Sequence, residues 1–146
     1  MLGKGPGIPA DMVFLDLEDA VAPKEKEASR AKIAAAIRGN DWGDKVLCVR
    51  VNDWSTKWTA YDIIEVVGTA GERLDEIMLP KVESAAQIVA TDMLLRQVEI
   101  SAGLPIGHIG IEAQIETITR CRTPETTRTR WPSCVPSTSP PSGRSS

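Results

Sequence analysis

Four short apolar runs punctuate the chain, Met12 to Leu17, Val46 to Val51, Ile77 to Val82 and Ile109 to Ile115, and each predicts a β-strand. The first three are near-continuous rather than alternating, the pattern of parallel strands covered on both faces. Between the runs the period changes to that of helices. Pro23 can open a helix over KEKEASRAKIAAAIR, where Ile33, Ala34 and Ile37 share one face and Gly39 and Asn40 stop it. Ile63, Val66 and Val67 mark a second helix that ends between Gly68 and Gly71. A third starts at the capping pair Ser84 and Gln87 and runs through Ile88, Leu95 and Val98 to Gly103.

The order is therefore strand, helix, strand, helix, strand, helix, strand. Strand starts fall roughly 30 to 34 residues apart, close to the about 31 residues per unit of a (β/α)8 barrel of about 250 residues. The predicted fold class is α/β, a partial TIM (β/α)8 barrel of about four βα units. A doubly wound open sheet has similar unit lengths and stays open as an alternative. Four units of a barrel leave two strand edges unpaired, so further strands are expected to be missing from this chain or supplied by another.

Composition changes the picture at one point. The chain has 146 residues, 42% of them hydrophobic, which suits one soluble globular domain. No run reaches the roughly 18 apolar residues of a membrane span, and the N-terminus lacks a basic region followed by an apolar stretch and a cleavage site. Cys48 lies in an apolar run and reads as a buried thiol, while Cys121 and Cys134 have no spacing that suggests zinc or a disulfide framework. A cytoplasmic location and no membrane partner are expected. Residues 1 to 120 carry 13 Lys/Arg against 19 Asp/Glu, an acidic balance that argues against general nucleic-acid binding.

After Arg120 the pattern stops. Sixteen of the last 26 residues are Ser, Thr or Pro and four more are Arg, with no apolar periodicity. We divide the chain into a domain over 1–120 and a disordered tail over 121–146 that proteolysis should remove first. A regulatory tail is one explanation. A shifted reading frame in a GC-rich gene is the favoured one, and it makes Trp131 accidental.

Candidate chemistry gathers at the strand ends, where functional sites of parallel α/β folds lie. Those ends read LDLED, VRVND, LPKVE and QIET, and bring Asp16, Glu18 and Asp19, Arg50, Lys81 and Glu83, and Glu116 to one rim. A lone charge there could cap a helix or face solvent; four charged ends in succession point to a site. Carboxylates beside an arginine suit a hard divalent cation and an oxygen-rich substrate, with the guanidinium forking a carboxylate. His108 precedes the fourth run, away from this rim, and reads as structural.

These same segments, ADMVFLDLEDAVAPKEKEASRAKI, DWGDKVLCVRVND, ERLDEIMLPKVESAAQI and IGIEAQIET, resemble the citrate lyase β-subunit-like branch of the HpcH/HpaI aldolase family, which includes malyl-CoA and β-methylmalyl-CoA lyases. The resemblance runs in unbroken register from residue 1 to about 120. It implies a Mg2+-dependent (β/α)8 enzyme that cleaves or forms the carbon–carbon bond of a 3-hydroxyacyl thioester such as malyl-CoA, β-methylmalyl-CoA or citramalyl-CoA. The products would be acetyl-CoA or propionyl-CoA and a 2-oxo acid. By motif, Glu116 matches a metal carboxylate, Arg50 the arginine that binds the oxo acid and stabilises the enolate, and Lys4 a lysine that contacts the coenzyme A ester. Asp16, Glu18 and Asp19 match an acidic strand end that faces the metal through its waters.

The departures from the family pattern also carry expectations. Relatives begin about one strand earlier, with a VPGS-like turn, and place a second metal carboxylate in a GPAD-like motif one unit beyond QIET; neither motif is found here. A truncated and inactive lyase is therefore expected, with at most weak magnesium binding, from a family whose full-length members form trimers or hexamers. The alternatives are a non-catalytic remnant or interaction protein that keeps the half-barrel, and a response-regulator-like open sheet. The last would want a Thr or Ser and a Lys at later strand ends, where this chain has Arg, Lys and Glu.

Overall fold

A computed structural model describes residues 2–116 of the chain. A 3-10 turn over Leu2–Gly7 leads to β1 (Met12–Asp16), and a second over Pro23–Glu25 runs into α1 (Lys26–Gly39). Then follow β2 (Val46–Arg50), α2 (Thr59–Ala70), β3 (Glu76–Leu79), α3 (Ala85–Ala102) and β4 (Gly110–Ala113). The four strands and three helices stand in the order expected. The proposed tail over 121–146 and its boundary at 120 lie outside the described residues.

All four strands are parallel, and their spatial order is β1-β2-β3-β4. That order decides between the two architectures. A doubly wound sheet reverses its strand order at a switch point; this one does not. Right-handed crossovers in an unreversed order put every helix on the same face, and α1 packs on α2 and α2 on α3. The result is the wall of a (β/α)8 barrel, four units wide.

The apolar runs suggested strands covered on both faces, which holds for β2, where Leu47, Cys48 and Val49 are all buried, and is corrected for β1. Along β1, Leu15 is 6% exposed while its neighbour Phe14 is 55% exposed. Alternate residues point to opposite faces. Leu15, Leu47, Val49, Ile77 and Leu79 face the helices and meet Ile33, Ile37, Ile63, Val66, Val67, Leu95 and Val98 in one core. Each fully enclosed aliphatic side chain there contributes about 1.5–3 kcal/mol. Met12 and Phe14 lie on the other face, the one that lines the interior of a closed barrel, and stay 40% and 55% exposed, with the Arg50 guanidinium 6.0 Å from the Phe14 ring centroid.

Local signals set the helix ends. Pro23 opens the 3-10 turn rather than α1 itself. Asn40 closes α1 by donating its amide to the Ala36 carbonyl at 2.7 Å. At the start of α3 the Gln87 side-chain oxygen accepts the backbone N–H groups of Glu83 and Ser84 at 2.7 and 3.2 Å, and at its end Gly103 takes a left-handed φ of 73° that costs glycine nothing. His108 ties the entry of β4 to the end of α2, its Nε2 lying 3.0 Å from the Gly71 carbonyl oxygen. Among the described residues no helix is long and apolar enough to cross a membrane.

Candidate active site

The register of the sheet builds the site. Asp16 closes β1 and Arg50 closes β2, and the two are Cα partners across the ladder, so their side chains leave the same face side by side. Arg50 Nε donates to Asp16 Oδ1 at 2.9 Å and Nη2 to Asp16 Oδ2 at 2.5 Å, a bidentate pair. Asp16 also accepts the backbone N–H groups of Glu18 at 2.8 Å and Ala20 at 3.1 Å. The remaining acidic residues collect around the same guanidinium, Glu18 at 3.3 Å and Asp19 at 3.6 Å.

From the end of β3, Lys81 closes the cluster. Its ammonium lies 2.6 Å from Glu18 and 3.9 Å from Asp53. Asp53 is held in turn by the Ser55 backbone N–H at 2.8 Å and by the Ser55 hydroxyl. Four carboxylates thus face two cations, and the mouth keeps an excess of two negative charges.

These contacts set the protonation of the rim. Burial alone would raise the pKa of Asp16, but the Arg50 hydrogen bonds, the two N–H groups and the Arg50 charge outweigh it and leave the carboxyl below its ordinary range. Asp53 follows the same logic, with Ser55 and the charge of Lys81 outweighing burial. The Lys81 ammonium is held above its usual value, chiefly by its hydrogen bond to Glu18, and Arg50 is raised chiefly by Asp16.

Asp16, Glu18, Asp19 and Arg50 are therefore brought together as the strand-end pattern implied. Glu116 is not part of that cluster. It stands beyond β4 at the same end of the sheet, is exposed, and makes no ion pair or hydrogen bond among the described residues. Lys4 sits in the first 3-10 turn, and its side chain lies outside the described residues.

Sequence reasoning gave no role to Asp53, and none to Lys81 beyond a strand-end charge. Both signals were present, since Asp53 belongs to VRVND and Lys81 to LPKVE. It also missed the polar floor of Lys26, Asn52, Asp62 and Arg30, all less than 7% exposed. Lys26 and Arg30 lie in a stretch rich enough in Lys and Glu to read as a solvated helix face. On the inner face, register brings the Cys48, Glu76 and Glu112 ligand atoms within 4.8 Å of one another. Burial and the two carboxylate charges push the Cys48 thiol up to about 12, so it stays protonated at neutral pH.

What the rim can do chemically follows from how Arg50 is held. Asp16 takes the Nε and one Nη2 proton, while Nη1 lies 3.3 Å from Glu18 and Nη2 3.6 Å from Asp19, so the end of the guanidinium already faces two further carboxylates. The guanidinium is gripped from its side, and its end-on fork, a shape that fits a carboxylate, is the edge that Glu18 and Asp19 flank.

The chain is similar to known proteins in sequence and in fold. The family pattern for HpcH/HpaI aldolase/citrate lyase matches residues 1–121. An L-malyl-CoA/beta-methylmalyl-CoA lyase of Cereibacter sphaeroides is 47% identical over 94 residues, 64% of this chain and 30% of that protein. A citrate lyase subunit beta of Leuconostoc mesenteroides is 38% identical over 108 residues, 74% of this chain and 35% of that protein. The chain thus spans about a third of the length of the curated relatives it matches. Among solved structures, a magnesium/glyoxylate complex of Haloferax volcanii malate synthase superposes with a TM-score of 0.68 at 20% identity, covering 77% of this chain and 36% of that one, a likeness of fold. With that pattern matched from residue 1 to 121, the chain belongs to the HpcH/HpaI aldolase/citrate lyase family.

Proposed function

We propose that the chain carries the oxo-acid-binding part of a magnesium-dependent carbon–carbon lyase acting on a 3-hydroxyacyl-CoA. Malyl-CoA, β-methylmalyl-CoA or citramalyl-CoA would be cleaved to acetyl-CoA or propionyl-CoA and a 2-oxo acid. The names of the relatives support the substrate class. The observation that carries the reading is the side-on Asp16–Arg50 pair, whose end-on nitrogens face Glu18 and Asp19 at ion-pair distance without a hydrogen bond, positions that a substrate carboxylate would take over.

In this reading the Arg50 fork binds the carboxylate of the oxo acid, and its charge steadies the negative charge that develops as the carbon–carbon bond breaks. Asp16 prevents the guanidinium from rotating away. Glu18 and Lys81 hold each other at the rim, and Lys4 contacts the coenzyme A ester. The donor set fits a hard cation: it is all oxygen, it carries excess negative charge, and Oε2 of the buried Glu18 has no hydrogen-bond partner. Magnesium would be held by Glu116, with Asp16, Glu18 and Asp19 facing it through water. When bound it supplies Lewis-acid stabilisation of developing oxyanion charge.

Oxalate, which presents the same vicinal oxygens as glyoxylate, tests this reading by calorimetric titration with and without magnesium. Wild type should bind it, magnesium should tighten binding, and Arg50→Lys, which keeps the charge but loses the planar fork, should weaken binding by about tenfold or more. Equal affinity of the two proteins would remove Arg50 from the site. Release of acetyl-CoA from malyl-CoA by any full-length relative carrying Arg50→Lys should fall by orders of magnitude.

A further inference from the structure

We infer that Lys26 is a positioning residue for the strand-end site: its buried ammonium sets the Leu17–Glu18 segment and, through it, the Asp16–Arg50 pair. Lys26 begins α1 and is 6% exposed. All three of its protons are used, by the Leu17 carbonyl at 2.9 Å, the Glu18 carbonyl at 2.8 Å and Asn52 Oδ1 at 2.5 Å. Among the described residues no carboxylate lies within ion-pair distance of it.

The other end of Asn52 is equally committed. Its Nδ2 donates to Asp62 Oδ2 at 2.6 Å and to the Leu17 carbonyl at 3.2 Å, and its backbone N–H donates to Asp62 Oδ2 at 3.0 Å. Asp62 pairs with Arg30 Nε at 2.7 Å. One connected polar layer thus spans α1, α2 and the ends of β1 and β2.

An ammonium buried on neutral acceptors is a costly way to hold a helix against a sheet, since a packed apolar side chain would do so without the desolvation penalty. What the ammonium adds is direction. It draws two successive carbonyls toward one point, which turns the chain directly after Asp16. That turn aims the Glu18 and Ala20 N–H groups at the two oxygens of Asp16. Asp16 is then held flat against Arg50, and the guanidinium keeps its direction.

The inference uses the proposed role of Arg50 only for its ligand readout, so the test has two arms. Lys26→Met keeps the length and apolar stem of the side chain and removes the donors. The first arm follows the Arg50 Nε–H proton by 15N NMR in the folded chain, assigned by its loss in Arg50→Lys. In Lys26→Met this proton should shift and exchange with water about tenfold faster or more, as a loosened charge-assisted hydrogen bond does. The second arm measures oxalate binding. Lys26→Met should weaken it about tenfold in the wild-type background and not at all in the Arg50→Lys background, the non-additivity of residues acting as one unit. An unchanged Arg50 Nε–H signal in a folded but less stable Lys26→Met protein overturns the inference and leaves Lys26 a structural residue. Should Lys26→Met fail to fold, Asn52→Ser removes the shared acceptor and is read by the same signal. Absence of oxalate binding by wild type rejects the proposed function, while the Arg50 signal still decides the role of Lys26.

Discussion

Lys81 stands at a left-handed φ of 52° and places its ammonium 2.6 Å from Glu18, a residue 63 positions earlier in the chain. A side chain with a Cβ rarely adopts that backbone, and the strain falls on the residue that closes the rim of the site. Lys81→Met leaves the buried Glu18 carboxylate with Arg50 alone beside it and should lower stability by about 1–2 kcal/mol. Lys81→Gly loses the same pair but relieves the backbone by about 1 kcal/mol, so it should unfold at higher urea than the Met variant. The reverse order in urea melts would show that the left-handed backbone at Lys81 carries no strain that glycine relieves.

Acid stability should depend on Asp16 and Asp53. Both are held below their ordinary pKa in the folded chain, so their contribution is complete above the unfolded value of about 3.9 and is lost as pH falls through the lowered folded values. Melting temperatures between about pH 2 and 6 should therefore drop steeply at the acid end. Asp16→Asn should flatten that limb while lowering stability at neutral pH, and a variant with the wild-type acid profile would exclude Asp16 as its source.

Cys48 should resist alkylation. Its thiol is fully buried and pushed up to about 12, so almost no thiolate exists at pH 8. Iodoacetamide followed by peptide mapping should leave Cys48 unmodified in the native chain and label it once denaturant is added. Rapid native labelling would mean that the packing around Cys48 opens readily.

Strand β1, buried on one face and half-exposed on the other, makes a paired prediction on adjacent residues. Phe14→Ser removes a side chain that is 55% exposed and should change stability by less than about 0.5 kcal/mol. Leu15→Ser empties a core position that is 6% exposed and should cost about 3 kcal/mol or more. Equal costs in denaturant titration would indicate that the Phe14 face is covered in solution.

Much of the fold was legible because its signals are local. Apolar runs of strand length, the stops at Gly39 and Gly103 and the Gln87 cap each depend on residues a few positions apart, and all appear where the pattern set them. Arg50 and the trio Asp16, Glu18 and Asp19 were legible for a related reason. Parallel α/β folds bring strand ends to one rim, so charges at those ends must meet.

The sequence by itself determined the element order, the unit length, the family and the acidic, arginine-bearing rim. Only the tertiary structure decided the unreversed strand order, the open face bearing Phe14, the burial of Lys26 and the pairing of Lys81 with Glu18. Lys26 and Lys81 look like any solvated lysine until the chain is folded, because no local pattern states which carbonyl or carboxylate will lie opposite. Their partners come from other strands and loops, and the register of the sheet, a product of the whole core packing at once, is what places those partners within reach.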